Sequence, residues 1–182
     1  MPPALAVSWH SALLDLSRIE SGGWRPAPVS LGIEPLVREC MSQFSATAEE
    51  KGLTFAESFG ADARQVFADP TALRQILINL IDNAVRHTIA GGISVEVTSE
   101  ERGIRVAVKD TGAGIPPEHL PRIFERFYRA DAGRARYQGG TGLGLAIVRH
   151  LTEAHGGNVT ATSAPGTGTT VSVLFPHPTT TT

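Results

Sequence analysis

The chain has 182 residues, 41% hydrophobic and 19% charged, enough for one domain with a proper core plus a short appendage. A formal net charge of −2 leaves no basic surplus to neutralise phosphates, which argues against nucleic acid as the main partner. No apolar run approaches the roughly 18–20 residues of a membrane span, the start lacks the layout of a signal peptide, and a lone cysteine, Cys40, excludes an internal disulfide.

Residues 4–20 read as a helix in which Leu5, Trp9, Leu13 and Leu16 share one stripe, and Ser21-Gly22-Gly23 ends it. So narrow a stripe needs a partner helix to pack on. From Trp24 onward the pattern turns mixed α/β. Val29–Leu31 predicts a short strand, and residues 33–51 a helix that turns Leu36, Val37, Cys40, Met41, Phe44 and Ala48 inward. Cys40 is therefore a small core residue rather than a reactive thiol. Leu53–Phe59 and Gln65–Ala68 follow as strands. Asp69-Pro70 marks a strong helix start, carboxylate at the N-cap and proline at the first helical position, with the helix running to about His87. Ile93–Ser99 and Ile104–Lys109 alternate apolar and polar residues and predict a hairpin. The loop-rich stretch 110–141 holds a short helix near Leu120–Phe127. A third long helix covers Gly142–His155, and Val159–Ser163 and Thr169–Phe175 close the sheet around Ala164-Pro165-Gly166. Thr179–Thr182 is expected to be disordered.

Chemistry concentrates in three places. On the helix after Pro70, Leu73, Leu77, Leu80 and Ala84 form the core stripe, while Asn79, Asn83, Arg86 and His87 cluster on an adjacent side. Amide oxygens suit a hard cation such as Mg²⁺ that takes its remaining ligands from water and phosphate. Asparagines that cap a neighbouring loop would account for one of the two, less readily for both. Next, Asp110-Thr111-Gly112-Ala113-Gly114-Ile115 ends a strand. A carboxylate there, beside glycines that admit a close backbone, can accept a hydrogen bond from an exocyclic amine such as that of adenine. Taken alone, the stretch reads equally as a strand-ending turn. Third, Gly140-Thr141-Gly142-Leu143-Gly144-Leu145 opens a helix whose exposed N–H groups make a phosphate site. It is neither a P-loop, since no Gly-Lys-Ser/Thr follows, nor a dinucleotide fingerprint, since no strand directly precedes it. Tyr128–Gly139, polar and arginine-rich, has the profile of a lid.

Together these stretches resemble the ATP-binding catalytic domain of two-component sensor histidine kinases. Asn79–Thr88 is similar to the family's N box, Asp110–Gly114 to its G1 box, Ile123–Arg129 to its F box, Gly140–Leu145 to its G2 box, and Gly166–Thr169 to its last glycine motif. The resemblance implies a Bergerat fold: an α/β two-layer sandwich with a mixed, mostly antiparallel five-stranded sheet on three helices. It puts Asn83 and Asn79 on Mg²⁺, Asp110 on the adenine amine, and Gly142 and Gly144 at the phosphates of ATP. Arg86, His87, Gly112, Gly114, Ile115, Gly140, Thr141, Leu143, Leu145 and Thr169 complete the implied nucleotide-binding set, with Tyr128 and Arg129 as lid residues. Arg86 and His87 stand where the family usually has lysine and an aromatic ring.

Leu13–Gly22 resembles the end of the second helix of the family's dimerisation and phosphoacceptor stem. The resemblance thus implies a stem remnant over residues 1–23, an ATP-binding domain over 24–176 and a tail over 177–182. The phosphoacceptor motif, a histidine followed by an acid, is absent, since His10 precedes Ser11 and lies on the wrong helix. The expected activity is a histidine kinase's ATP-handling half, with no catalytic residue of its own for accepting phosphate. Its implied partners are a phosphoacceptor-histidine domain, in trans or N-terminal to this segment, and a response regulator downstream. The segment itself is expected in the cytoplasm without membrane contact, under a membrane-bound parent kinase. Hydrolases of the same fold resemble one another in carrying a glutamate where this chain has Asn79, which argues against a motor ATPase. A serine kinase of the anti-sigma-factor type and a nucleotide-sensing module share the pocket and stand as alternatives.

Overall fold

The computed structural model describes residues 23–130 and 141–178. The predicted helix over 4–20, the 179–182 tail and Gly140 lie outside them. Seven strands and four helices follow in order: β1 Val29–Gly32, α1 Ile33–Ser42, α2 Ser45–Glu50, β2 Thr54–Phe59, β3 Gln65–Ala68, α3 Pro70–His87, β4 Gly92–Glu100, β5 Gly103–Asp110, α4 Gly144–Ala154, β6 Asn158–Ala164 and β7 Gly168–Pro176. The main sheet runs β2-β4-β5-β7-β6, with β2 parallel to β4 and every other pair antiparallel, while β1 and β3 form a separate antiparallel ribbon. This is the expected α/β sandwich.

Period-2 alternation decides which face of the sheet is dry. Ile93, Val95 and Val97 of β4, Ile104, Val106 and Val108 of β5, and Val171, Val173 and Phe175 of β7 are buried, and the residues between them turn mostly polar side chains to the other face, Ala107 and Leu174 excepted. The helices cover that dry face. α3 brings eight buried apolar residues (Ala72, Leu73, Ile76, Leu77, Leu80, Ile81, Ala84 and Val85). That is a wider stripe than the four positions read from sequence, and each fully buried leucine or isoleucine contributes about 1.5–3 kcal/mol. α4 adds Ala146, Ile147, Val148 and Leu151, and α1 adds Ile33, Leu36, Val37, Cys40 and Met41. Burial pushes the Cys40 thiol up to about 11, so it stays protonated and inert.

Three predicted helices change at their ends. The helix over 33–51 breaks at Gln43–Phe44 although the break itself carries neither glycine nor proline. Hydroxyls compete with the backbone there: Ser42 Oγ donates to Glu39 O and Ser45 Oγ to Ser42 O, both at 2.7 Å. The helix near 120–127 shrinks to one 3₁₀ turn, Leu120–Arg122. Pro121 lacks an N–H, and the chain proceeds through successive i→i+3 turns instead, with Arg122 N donating to His119 O and Glu125 N to Arg122 O. The third helix starts at Gly144 rather than Gly142, because Gly142 sits at φ +71°, outside the helical region.

α3 is fixed at its head by Asp69. One carboxylate oxygen accepts from Thr71 N at 2.9 Å and Ala72 N at 3.1 Å, and the other accepts from Ala27 N at 3.0 Å. Burial pushes this carboxyl's pKa up, but the bonds from Ala27, Ala72 and Thr71, with His155 nearby, outweigh it and hold the pKa below the ordinary carboxylate range. A depressed pKa stabilises the fold above the unfolded group's value, and that contribution is lost as pH falls through the folded one. We expect Asp69→Ala to lower the stability by about 1–2 kcal/mol at neutral pH. Denaturant titrations should show the difference from the parent closing in acid; equal midpoints at pH 7 would contradict the cap.

Candidate functional site

The site gathers where α3 ends, β5 ends and α4 begins. Asp110 closes β5 and is 5% exposed. Its Oδ1 accepts from Gly112 N at 2.8 Å and Thr169 N at 3.3 Å, whereas Oδ2 accepts nothing among the described residues. Since those residues leave no fully buried side-chain oxygen unpartnered, Oδ2 is reachable from outside. Burial raises the Asp110 pKa above its ordinary value against the opposing pull of Gly112, Thr169 and His87. An oxygen left open on a largely buried carboxylate is a strong acceptor for an N–H donor arriving from outside.

The glycines after Asp110 are steric requirements. A Cβ on Gly112 would stand 2.3 Å from His87 O and 2.9 Å from Asp110 Oδ1. Gly114 lies at φ +72°, with Ala164 O 2.0 Å from where its Cβ would be. The loop is clasped to the β6–β7 turn by Gly166 N donating to Ala113 O at 2.7 Å. Ile115 N donates to Ser163 Oγ at 2.7 Å, and that hydroxyl also meets Gly168 O at 2.8 Å and Thr169 Oγ1 at 2.9 Å. Asp110, Ile115, Ser163 and Thr169 are thus one network. Ser163 is the member that sequence reasoning missed. Its signal was there: in β6 it shares the inward face with Val159 and Ala161, where a hydroxyl needs a partner.

Asn79 and Asn83 lie one turn apart on α3, both half-buried. Asn79 Nδ2 donates to Gln75 O at 2.8 Å, and Oδ1 faces Gly144, lying 3.0 Å from where a Cβ there would stand. The amide oxygen of Asn79 is therefore turned toward the start of α4. Asn83 makes no side-chain hydrogen bond among the described residues, leaving its oxygen available. Arg86 pairs with Asp82 at 2.6 Å. His87, exposed at the end of α3, has its pKa held below the ordinary histidine value by surrounding protein, opposed by Asp110, helped by Arg86 and Arg129 and opposed by Asp82.

At the head of α4, Leu143 is buried, its N–H donates to Thr141 Oγ1 at 3.3 Å, and Leu145 packs half-buried on the core. Phe127 N donates to Gly142 O at 2.9 Å, so the residues flanking 128–141 are pinned together. Phe127 takes φ +59°, uncommon for a bulky residue, and stays 63% exposed. Tyr128 is engaged elsewhere: its hydroxyl meets His119 Nδ1 at 2.5 Å and Arg122 lies over its ring at 4.3 Å. Among the described residues no group of three or more His, Cys, Asp or Glu could hold a metal, and no helix is long and apolar enough to cross a membrane. The donor set is two amide oxygens beside a helix start, which fits a hard cation only if an anionic ligand and water supply the rest.

Comparison with known proteins bears on this geometry. Residues 68–179 match the family described as histidine kinase-, DNA gyrase B-, and HSP90-like ATPase. Over 166 residues the chain is 36% identical to the sensor-like histidine kinase SenX3 of Mycobacterium tuberculosis, covering 90% of this chain and 40% of that protein. The sensor histidine kinase WalK of Bacillus subtilis is 35% identical over 168 residues, 91% of this chain and 27% of its own length. The chain spans less than half the length of these relatives. The fold superposes on full-length ShkA in complex with AMPPNP with a TM-score of 0.82 at 34% identity, covering 91% of this chain and 34% of that one. The nucleotide-free catalytic domain of the histidine kinase ThkA gives 0.72 at 28% identity, 82% of this chain and 95% of that one.

Gly112→Ala tests the steric reading. The added methyl must move His87 O or Asp110, and we expect a loss of about 1–3 kcal/mol, the usual cost of overpacking, with the Thr169 amide resonance displaced. An unchanged midpoint and an unmoved Thr169 amide would show that the loop has slack there.

Proposed function

We propose a function from one premise: the chain belongs to the family of histidine kinase-, DNA gyrase B- and HSP90-like ATPases. It binds Mg-ATP and donates the γ-phosphoryl group to a phosphoacceptor histidine, supplied by another chain or by a region N-terminal to this segment. That is the first step of two-component signalling, and a response regulator receives the phosphate afterwards. The proposed setting is the cytoplasmic face of the membrane that carries the parent kinase.

The position of each group supports the role proposed for it. Asp110 Oδ2 accepts from the adenine amine, and Gly112 and Gly114 let the backbone close on the base. The N–H groups at Gly142–Gly144 meet the phosphates at the positive end of α4, with Arg86 and Arg129 adding cationic charge. The amide oxygens of Asn83 and Asn79 hold Mg²⁺, which supplies charge neutralisation at the β- and γ-phosphates. Tyr128 and Arg129 mark the start of the lid.

One observation carries the choice of kinase over hydrolase. Asn79 stands one helical turn before Asn83, and its Nδ2 is already donating to Gln75 O. A carboxamide has no basic site, so it cannot take a proton from water as a carboxylate would. Phosphoryl transfer then needs a nucleophile from outside the domain.

Labelled γ-phosphate tests this directly. Alone, the chain should release phosphate only at background and incorporate no label. Mixed with a helical stem that bears a phosphoacceptor histidine, it should transfer label that is acid-labile and base-stable. Turnover to free phosphate near 1 s⁻¹, the low end of ordinary enzymes, lost on Asn83→Ala, would overturn the assignment of Asn79. Acid-stable label would move the reading to a serine kinase.

A further inference from the structure

Three inner-face side chains line up across the strand ends that border the site. Thr169 of β7 stands directly opposite Asp110 of β5 on one side and Ser163 of β6 on the other. Asp110 and Thr169 are buried and Ser163 is half-buried. The Thr169 amide reaches Asp110 Oδ1, and the Thr169 hydroxyl lies 2.9 Å from Ser163 Oγ. The row thus joins the carboxylate that faces outward to a serine two strands away.

A hydrogen count fixes which way the row points. A serine hydroxyl has one hydrogen to give and two lone pairs to receive. Ile115 N, 2.7 Å from Ser163 Oγ, only donates, and Gly168 O, 2.8 Å away, only accepts. The single Ser163 hydrogen therefore goes to Gly168 O. Sent to Thr169 instead, it would leave two bare oxygens facing each other across 2.8 Å. Thr169 must then donate its own hydrogen to Ser163, which fills that hydroxyl completely. Thr169 Oγ1 is left with lone pairs alone, and among the described residues nothing else bonds to it. Beside it, the open Asp110 Oδ2 is also an acceptor.

We propose that Ser163 is a positioning residue for base selection: by taking the Thr169 hydrogen it makes Thr169 Oγ1 and Asp110 Oδ2 a pair of acceptors, which together receive both hydrogens of one exocyclic amine. The inference deepens the ATP reading and rests on it. In this role Ser163 touches no nucleotide and acts through Thr169.

The consequence is a matter of counting donors. An adenine amine brings two hydrogens to the pair. A base with a carbonyl in that place and a ring N–H beside it brings one hydrogen and a lone pair that the carboxylate repels. Without Ser163 the Thr169 hydroxyl is free to turn, and the pair becomes one acceptor and one donor. That pattern serves the carbonyl and ring N–H as well as it serves adenine, so the preference shrinks. A serine that merely braced the loop after β5 predicts something else, since a loosened loop weakens both bases by the same factor.

ATP and ITP differ only at this edge of the base, and calorimetry on the whole chain with Mg²⁺ compares them. In Ser163→Ala the ratio of the ITP to the ATP dissociation constant should fall about tenfold, the worth of roughly one hydrogen bond. Ser163→Thr keeps a hydroxyl on a residue suited to a strand and should match the parent ratio. Once Thr169→Val has removed the second acceptor, adding Ser163→Ala should change the ratio no further. A readout without nucleotide or substitution is the Thr169 hydroxyl hydrogen itself, which should exchange slowly by NMR and lie close to the Ser163 side chain. Equal weakening of ATP and ITP in Ser163→Ala would overturn the inference and leave the ATP reading standing. So would a ratio that Ser163→Thr also lowers, a ratio change that persists beside Thr169→Val, or a Thr169 hydroxyl hydrogen that exchanges as fast as an open one. A parent chain that binds neither nucleotide overturns the ATP reading and this inference together.

Discussion

Taking a carboxylate out of water is costly unless hydrogen bonds replace the hydration it loses. Asp110 sits at 5% exposure with one oxygen bonded to two backbone amides and the other unpaired. The surrounding structure is built to that condition. Gly112 must lack a side chain for its amide to reach Oδ1, and Thr169 must enter β7 at the register that pairs it with Asp110. Ser163 holds the loop and the strand in place, and Gly168 admits the Asp110 carbonyl 2.0 Å from where a Cβ would stand. Gly114, Gly142, Gly168 and Phe127 take positive φ around this acid and the head of α4, and of these only Phe127 bears a steric cost for it.

Much of the fold was legible because hydrophobic periodicity and capping are local. Asp69-Pro70 marks a helix start in the sequence, and α3 starts there. The β3 boundaries, Gln65–Ala68, coincide with those read from the sequence, and the other strands differ from their predicted spans by a residue or so at an end. What escaped was set by partners distant in sequence or by backbone conformations that composition does not reveal. The break between α1 and α2 comes from serine hydroxyls bonding to carbonyls three residues back, and the late start of α4 from the left-handed backbone at Gly142. Of the candidate site, Asp110, Asn79, Asn83 and the glycines stood out as residue types ill suited to a core. Ser163 gave a weaker signal, a hydroxyl on the inward face of β6, and its partners appear only once β6, β7 and the loop after β5 are seen side by side. Nor did sequence show that Tyr128 would be held by His119 and Arg122.

The arrangement also divides labour. The domain presents amides, glycines and cations but, among its described residues, no carboxylate where a hydrolase would place its base, since Asn79 takes that position and spends its amide hydrogen on Gln75. A site that positions phosphates without activating water keeps its nucleotide intact until a nucleophile arrives. In the proposed function that nucleophile sits on a separate helical stem, so the geometry between stem and domain becomes the controlling variable.

The central claim is that a buried, half-satisfied carboxylate selects the base, and nucleotide affinity measures it most directly. Calorimetry of the parent chain with Mg²⁺ should show ATP bound more tightly than GTP by roughly 1.5–3 kcal/mol, since adenine donates at the position where guanine accepts. Asp110→Asn should weaken ATP and narrow that gap. Equal affinities of the parent for ATP and GTP would contradict the account.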